Sequence, residues 1–151
     1  MEHTNEMELT FDSSSVNESF ARVTVAAFLT RLNPTLEEVA DVKTAVSEAV
    51  TNAIIHGYGE QPGKIRIHCR TKGQEIYIDV CDEGAGIADV KKAMEPLFTT
   101  RPELERSGMG FAFMEAFMDE LSVDSALGKG TRVHMKKVIG EGRKAWSTQS
   151  L

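Results

Sequence analysis

The chain has 151 residues, of which 41% are hydrophobic and 26% charged, and its formal net charge is −6. This balance is typical of one ordinary globular domain and excludes a disordered chain, while the excess of acid argues against a nucleic-acid surface. No apolar run approaches the roughly 20 residues that span a bilayer, and the acidic start of the chain is unlike a secretory signal, so we expect a cytoplasmic protein.

The first segments predict a strand followed by a helix. Residues 6–11 alternate between polar and apolar side chains, as one half-buried strand does. Several N-cap residues follow at positions 13–17. Arg22 and Arg31 lie off the apolar face of the predicted helix, where arginines are commonly solvated. That face consists of Phe20, Val23, Thr24, Ala27, Phe28 and Leu32.

A second helix is predicted from a capping box, Thr35-x-x-Glu38, to about His56, ending at Gly57. No chemistry is assigned to His56, because a histidine near a helix end is commonly a partner of the helix dipole. The predicted buried face consists of Leu36, Val39, Val42, Val46, Val50, Ala53 and Ile54.

Two polar side chains stand out on this second helix. Glu48 and Asn52 are four residues apart, so they lie one above the other, nearly opposite the apolar face. The small residues Ala45 and Ala49 flank them, and we expect this to leave room for something to lie against the helix.

Two strands should follow as a hairpin, residues 64–71 and 74–81, with a turn at positions 72–73. The two cysteines, Cys69 and Cys81, each fall in an apolar strand pattern, which predicts buried, reduced thiols. No spacing of Cys and His indicates a zinc site.

The glycine-rich segments suggest a ligand site. Asp82-x-Gly84-x-Gly86 follows a strand, and glycine lets the backbone turn sharply and approach a flat ligand. Further on, Gly108 and Gly110 precede an apolar helical pattern, where free N–H groups and the helix dipole suit phosphate. Each segment alone is weak, since such glycines often make simple turns.

The remaining segments complete the predicted domain. Residues 87–94 predict a short helix, and residues 95–107 form a long connection without clean periodicity, which is typical of a lid. A helix over residues 111–118 is followed by strands at 121–125 and 132–138, joined by a turn at 128–131.

Four motifs in this order resemble the GHKL ATP-binding superfamily, which includes gyrase, Hsp90, histidine-kinase catalytic domains and anti-sigma serine kinases. The closer likeness is to the anti-sigma serine kinases of spore-forming bacteria, and it covers roughly residues 5–138. The motifs are Glu48-x-x-x-Asn52, Asp82-x-Gly84-x-Gly86, Gly108-x-Gly110 and Gly130-Thr131; the closer likeness lies in residues 17–28, 47–58, 96–100 and 102–111.

The resemblance implies an α/β (α+β) two-layer sandwich, with a mixed, mostly antiparallel sheet, helices on one face and ATP between the helices and the lid. It implies one GHKL (Bergerat) domain over residues 1–139. Residues 140–151 lie outside the resemblance, and because they are polar we expect a disordered tail there. The implied activity is that of a serine/threonine-protein kinase and anti-sigma factor. Such a protein forms a homodimer, holds a sigma-F type sporulation factor, and phosphorylates an anti-anti-sigma protein with Mg²⁺ and ATP.

The resemblance also implies residue roles at the two ends of the nucleotide. Asn52 would coordinate Mg²⁺ through its carbonyl oxygen, and Glu48 would be the general base for the substrate serine. Asp82 would accept a hydrogen bond from the adenine amino group, and Thr131 would support the same edge through water.

Other implied contacts concern the phosphates and the partners. Arg106 would reach the terminal phosphate, where an arginine stabilises charge, and Arg22 would contact a protein partner. The remaining implied nucleotide-binding residues are Gly84, Gly86, Thr99, Thr100, Ser107, Gly108, Met109 and Gly110.

Two other functions compete with a kinase. The chain could be a binding module in which nucleotide only gates sigma-factor binding, but Glu48 favours the kinase because binding alone needs no base there. It could also be the catalytic half of a histidine kinase. That class normally needs a dimerisation helix with a phospho-accepting histidine, or such a domain on another chain, and the first predicted helix has no histidine.

Overall fold

The computed structural model describes residues 3–59, 61–95 and 110–140. Its five strands form one sheet in the order β1-β2-β3-β5-β4, and helices cover one face of it, which confirms the predicted two-layer α/β fold. Every strand pairing in the described residues is antiparallel. The strands are β1 (Thr4–Asp12), β2 (Lys64–Lys72), β3 (Glu75–Asp82), β4 (Glu120–Ala126) and β5 (Gly130–Val138); the helices are α1 (Val16–Leu29), α2 (Leu36–Asn52), α3 (Val90–Ala93) and α4 (Gly110–Phe117).

The two faces of the sheet differ in burial. Strands β2 and β3 alternate strictly, and Ile65, Ile67, Ile76 and Ile78 are fully buried in the core. The alternate positions carry charges that pair across strands, such as Arg66 with Glu8 and Arg132 with Asp79. The sheet therefore packs its apolar face on the helices and turns its ion pairs to solvent.

Helix α1 is rotated relative to the prediction. Its buried residues are Ala21, Val25 and Leu29, whereas Phe20 is 56% and Val23 53% exposed. The predicted apolar face was therefore wrong in part: Leu32 is buried and Phe28 packs against the core as predicted, but the centre of the buried face is displaced by about one residue, or roughly 100° around the helix axis. The reason is that apolar residues occur all around α1, so that packing against α2 decides which side is buried.

Helix α2 begins as predicted. The Thr35 hydroxyl accepts a hydrogen bond from the Glu38 backbone N–H (3.1 Å), and the Glu38 carboxylate accepts one from the Thr35 N–H (2.8 Å). Leu36, predicted to be buried, is 90% exposed at the first helical position. At the other end, the helix widens into one π-helical turn, Ala53–Gly57.

The two cysteines differ from each other. Cys69 is fully buried, and burial raises the pKa of its thiol to about 12. Cys81 is only half-buried, so its predicted burial was wrong. It lies on the solvent-facing side of β3, in register with Arg66 and Arg132, because the buried positions of the strand are Val80 and Asp82 on either side of it.

No helix in the described ranges is long and apolar enough to cross a membrane. The lid predicted at residues 95–107 falls almost wholly outside these ranges, as does the predicted tail beyond Gly140.

Candidate functional site

A cavity of about 310 Å³ opens between α2, the segment after β3, the start of α4 and strand β5. Its wall is mostly apolar, and a few polar groups point into it. This combination is typical of a small-molecule site. Residues that line it include Ala49, Asn52, His56, Gly57, Asp82, Gly86, Ile87, Gly110, Phe111, Leu127 and Thr131.

Asp82 ends strand β3 inside this cavity and is only 9% exposed. Burial raises the pKa of its carboxyl group, although hydrogen bonds from the backbone N–H groups of Gly84 (2.9 Å) and Thr131 act in the opposite direction. An ionised carboxylate only accepts hydrogen bonds, so Asp82 suits a ligand that presents an N–H group.

The two glycines after Asp82 bring backbone against backbone. A Cβ on Gly84 would lie 2.0 Å from the carbonyl oxygen of Gly57, and a Cβ on Gly86 (φ +75°) would lie 2.0 Å from that of Ala126. The Ala85 N–H donates to the same Gly57 oxygen at 2.7 Å. Gly86 lines the cavity, whereas the close approach at Gly84 fixes the segment to Gly57, at the end of the π-helical turn after α2.

Asn52 lines the cavity, and both Asn52 and Glu48 lie beside Gly110, the first residue of α4. A Cβ on Gly110 would lie 3.2 Å from Asn52 Oδ1 and 3.3 Å from Glu48 Oε2. An amide oxygen is a hard ligand of the kind that Mg²⁺ takes when phosphates complete its shell, so Asn52 Oδ1 fits magnesium, while Glu48 places a carboxylate beside it. Ala49, expected to leave room here, lines the cavity, while Ala45 is fully buried.

Sequence reasoning missed residues that hold this cavity together. The Tyr58 hydroxyl accepts a hydrogen bond from the Glu83 N–H (2.8 Å) and donates one to the Lys64 carbonyl (2.5 Å), which ties the turn after β3 to β2. The Ser125 hydroxyl lies 2.7 Å from Thr131 Oγ1. Neither residue has a local sequence signal, because both act through partners distant in the chain.

The predicted site residues divide into three groups. Arg22 lies away from the cavity on α1, where Glu18 pairs with it at 3.7 Å. His56, which was given no role, lines the cavity. The structure brings Asn52, Asp82, Gly86, Gly110 and Thr131 together around the cavity, with Glu48 and Gly84 beside it; Thr99, Thr100, Arg106, Ser107, Gly108 and Met109 lie outside the described residues.

Similarity to known proteins covers the part of the chain that forms this site. The Histidine kinase-like ATPase domain family matches residues 11–137. The anti-sigma F factor of Thermoanaerobacter sp. (strain X514) is 62% identical over 143 residues, which are 95% of this chain and 100% of that protein. The chain belongs to the anti-sigma F factor family and carries a histidine kinase-like ATPase domain. The resemblance inferred from the motifs is therefore confirmed.

Further anti-sigma F factors are nearly as similar. That of Clostridium acetobutylicum is 61% identical over 133 residues, or 88% of this chain and 93% of that protein. Among solved structures, the RsbU and RsbW domains of Rv1364c from Mycobacterium tuberculosis share the fold, with a TM-score of 0.63 at 19% identity. That match covers 89% of this chain and 32% of the mycobacterial chain.

Proposed function

We propose that this chain is an anti-sigma factor that binds ATP with Mg²⁺ and phosphorylates a serine of an anti-anti-sigma protein. The observation that carries the proposal is one cavity lined by the buried acceptor Asp82 and by Asn52, with the carboxylate of Glu48 beside it next to Gly110. The name of the relatives, anti-sigma F factor, supports a sigma factor of that type as the bound partner.

The Asp82 end of the cavity suits adenine. The carboxylate accepts a hydrogen bond from an exocyclic amino group, whereas the carbonyl group that guanine carries at the same position would face a second acceptor. Thr131 lies beside Asp82 in the β3–β5 register and is proposed to bind the same edge through water. The apolar wall, including Phe111 and Leu127, covers the ring.

The Glu48 end of the cavity suits phosphoryl transfer. Glu48 takes the proton of the substrate serine, whose oxygen bonds to the terminal phosphorus while the bond from that phosphorus to the ADP oxygen breaks. Asn52 holds Mg²⁺ through its carbonyl oxygen, and the ion when bound neutralises phosphate charge. We propose that the backbone at residues 107–110, at the start of α4, and the side chain of Arg106 hold the phosphates.

The protein partners are assigned to helix α1. Arg22 is proposed to contact a partner, and its side chain is 40% exposed. The neighbouring residues Val16, Phe20 and Val23 are more than half exposed and follow one stripe of the helix, with spacings of four and three residues. A partner or a second copy in the proposed homodimer would cover this stripe.

A phosphotransfer assay tests the proposal. The purified chain is incubated with Mg²⁺, γ-labelled ATP and a candidate anti-anti-sigma protein, beside Glu48→Ala and the control Glu37→Ala, an exposed glutamate in the first turn of the same helix. We expect label on a partner serine with wild type and Glu37→Ala, and none with Glu48→Ala, which still binds ATP. If ATP binds but no label moves to an authentic partner, the chain is a nucleotide-gated sigma-binding module.

A further inference from the structure

Ser125, on the edge strand β4, connects two walls of the cavity. Its Oγ lies 2.7 Å from the backbone nitrogen of Ile87, 2.9 Å from the carbonyl oxygen of Gly130 and 2.7 Å from Thr131 Oγ1. Ile87 and Thr131 both line the cavity, from the segment after β3 and from β5. One hydroxyl group therefore serves three partners, none of which is its neighbour in sequence.

The protons of this cluster can be assigned by counting donors. A serine hydroxyl has one proton to donate and two lone pairs that accept. The Ile87 N–H can only donate and the Gly130 carbonyl can only accept, so the proton of Ser125 points to Gly130. The remaining short contact then requires the proton of Thr131, which points to Ser125.

We propose that Ser125 is a positioning residue that holds the Thr131 hydroxyl with only its lone pairs toward the cavity. Asp82 is the direct cross-strand partner of Thr131 and, when ionised, also accepts only. The Asp82 carboxylate and the Thr131 oxygen then both present hydrogen-bond acceptors to the base. They favour a purine with a 6-amino group, which donates, over one with a 6-oxo group, which only accepts. This inference rests on the proposed function, because it assumes that a purine nucleotide occupies the cavity.

Without the Ser125 hydroxyl, the O–H group of Thr131 no longer has Ser125 as its hydrogen-bond acceptor. The Thr131 hydroxyl can then rotate and donate, directly or through water, to the carbonyl group of a 6-oxo purine. Loss of the bond to the Ile87 N–H weakens the cavity wall for every nucleotide alike. The ratio of the dissociation constants of two nucleotides distinguishes these effects. A weaker wall lowers both affinities equally and leaves the ratio unchanged, whereas the freed Thr131 hydroxyl changes the ratio.

The test compares ADP with IDP, which carries an oxo group in place of the amino group on the same sugar diphosphate. Calorimetric Kd values give the ratio of IDP to ADP for wild type, Ser125→Ala and Ser125→Thr. We expect Ser125→Ala to lower this ratio about three- to tenfold, the equivalent of one hydrogen bond. Ser125→Thr retains a hydroxyl group and should retain the wild-type ratio.

Repeating the measurement in a chain that carries Thr131→Val shows whether Ser125 acts through Thr131. Thr131→Val removes the hydroxyl group, so adding Ser125→Ala to it should leave the ratio unchanged. If the alanine variant does not fold by circular dichroism, Ser125→Cys takes its place, since a thiol is a weak donor and a weak acceptor.

Three results would overturn the inference. An unchanged ratio in folded Ser125→Ala, or a changed one on the Thr131→Val background, rejects the role of Ser125 while leaving the proposed function intact. A wild-type chain that binds neither nucleotide rejects the proposed function and this inference with it.

Discussion

The contact between Gly84 and Gly57 gives the sharpest test of how the cavity is held. Gly84→Ala would put a Cβ 2.0 Å from the Gly57 carbonyl oxygen and 2.3 Å from its carbon. Both atoms belong to backbone, so the two segments must separate by more than about 1 Å to reach ordinary contact. Overpacking of this kind costs about 1–3 kcal/mol, and loss of the hydrogen bond from Ala85 to Gly57 adds about 1 kcal/mol. We expect a loss of about 2–4 kcal/mol in the free energy of unfolding.

The control is Gly128→Ala, because Gly128 has a positive φ of +77° but, apart from itself and its two neighbours in sequence, no heavy atom within 4 Å of the point where the new Cβ would lie. Its cost should be only that of backbone strain, about 1–2 kcal/mol. Urea unfolding followed by circular dichroism measures both variants, and calorimetry measures ADP binding. Gly84→Ala should also weaken ADP binding, since the Gly84 N–H holds the Asp82 carboxylate. A Gly84→Ala variant that is no less stable than Gly128→Ala and binds ADP normally would refute this account.

Two further predictions concern Asp82 and the side of helix α1 that is buried. Burial raises the pKa of Asp82, so the stability that its protonated form contributes is lost as the pH rises from its ordinary value of 3.8 through the folded-state pKa. Asp82→Asn should therefore gain stability relative to wild type in urea unfolding as the pH rises above about 4, and should not bind ADP. A stability difference that stays constant with pH would contradict this. Leu29→Ala should cost about 2–5 kcal/mol, whereas the exposed Phe20→Ala should change unfolding by less than about 0.5 kcal/mol, and the reverse order would mean that the predicted face was right after all.

Local signals in the sequence predicted much of the fold. The capping box of Thr35 and Glu38 placed the start of α2, because both of its hydrogen bonds form within four residues. The strict alternation around Ile76 and Ile78 placed β3, since one face of the strand is buried and the other carries charges. Asp82 could be singled out only together with the other motifs, because a carboxylate followed by two glycines at a strand end is by itself often a simple turn. The structure places this carboxylate, buried, in the wall of the cavity.

Properties that depend on distant partners could not be predicted in this way. The roles of Ser125 and Tyr58 rest on bonds to residues up to 38 positions away, and nothing near them in sequence indicates those bonds. The half-exposure of Cys81 follows from which face of β3 meets the helices. Here the sequence did contain the answer: Ile76, Ile78 and Val80 share the buried face, so the two-residue period of a strand puts Cys81 on the opposite face, and its predicted burial overlooked this.

The buried side of helix α1 was also hard to predict, and the reason bears on function. A helix with apolar residues on one side needs one neighbour, but α1 carries two apolar stripes, one buried through Ala21, Val25 and Leu29 and one exposed through Phe20 and Val23. The second stripe made its burial ambiguous in the sequence, and folding of a single chain does not account for it. An apolar surface of this kind, beside the exposed side chain of Arg22, is explained if a protein partner covers it. We expect Phe20→Ala to leave the free energy of unfolding unchanged but to abolish partner binding or self-association. That result would mean that the second apolar stripe, which made the buried side of α1 hard to predict, forms the proposed interface.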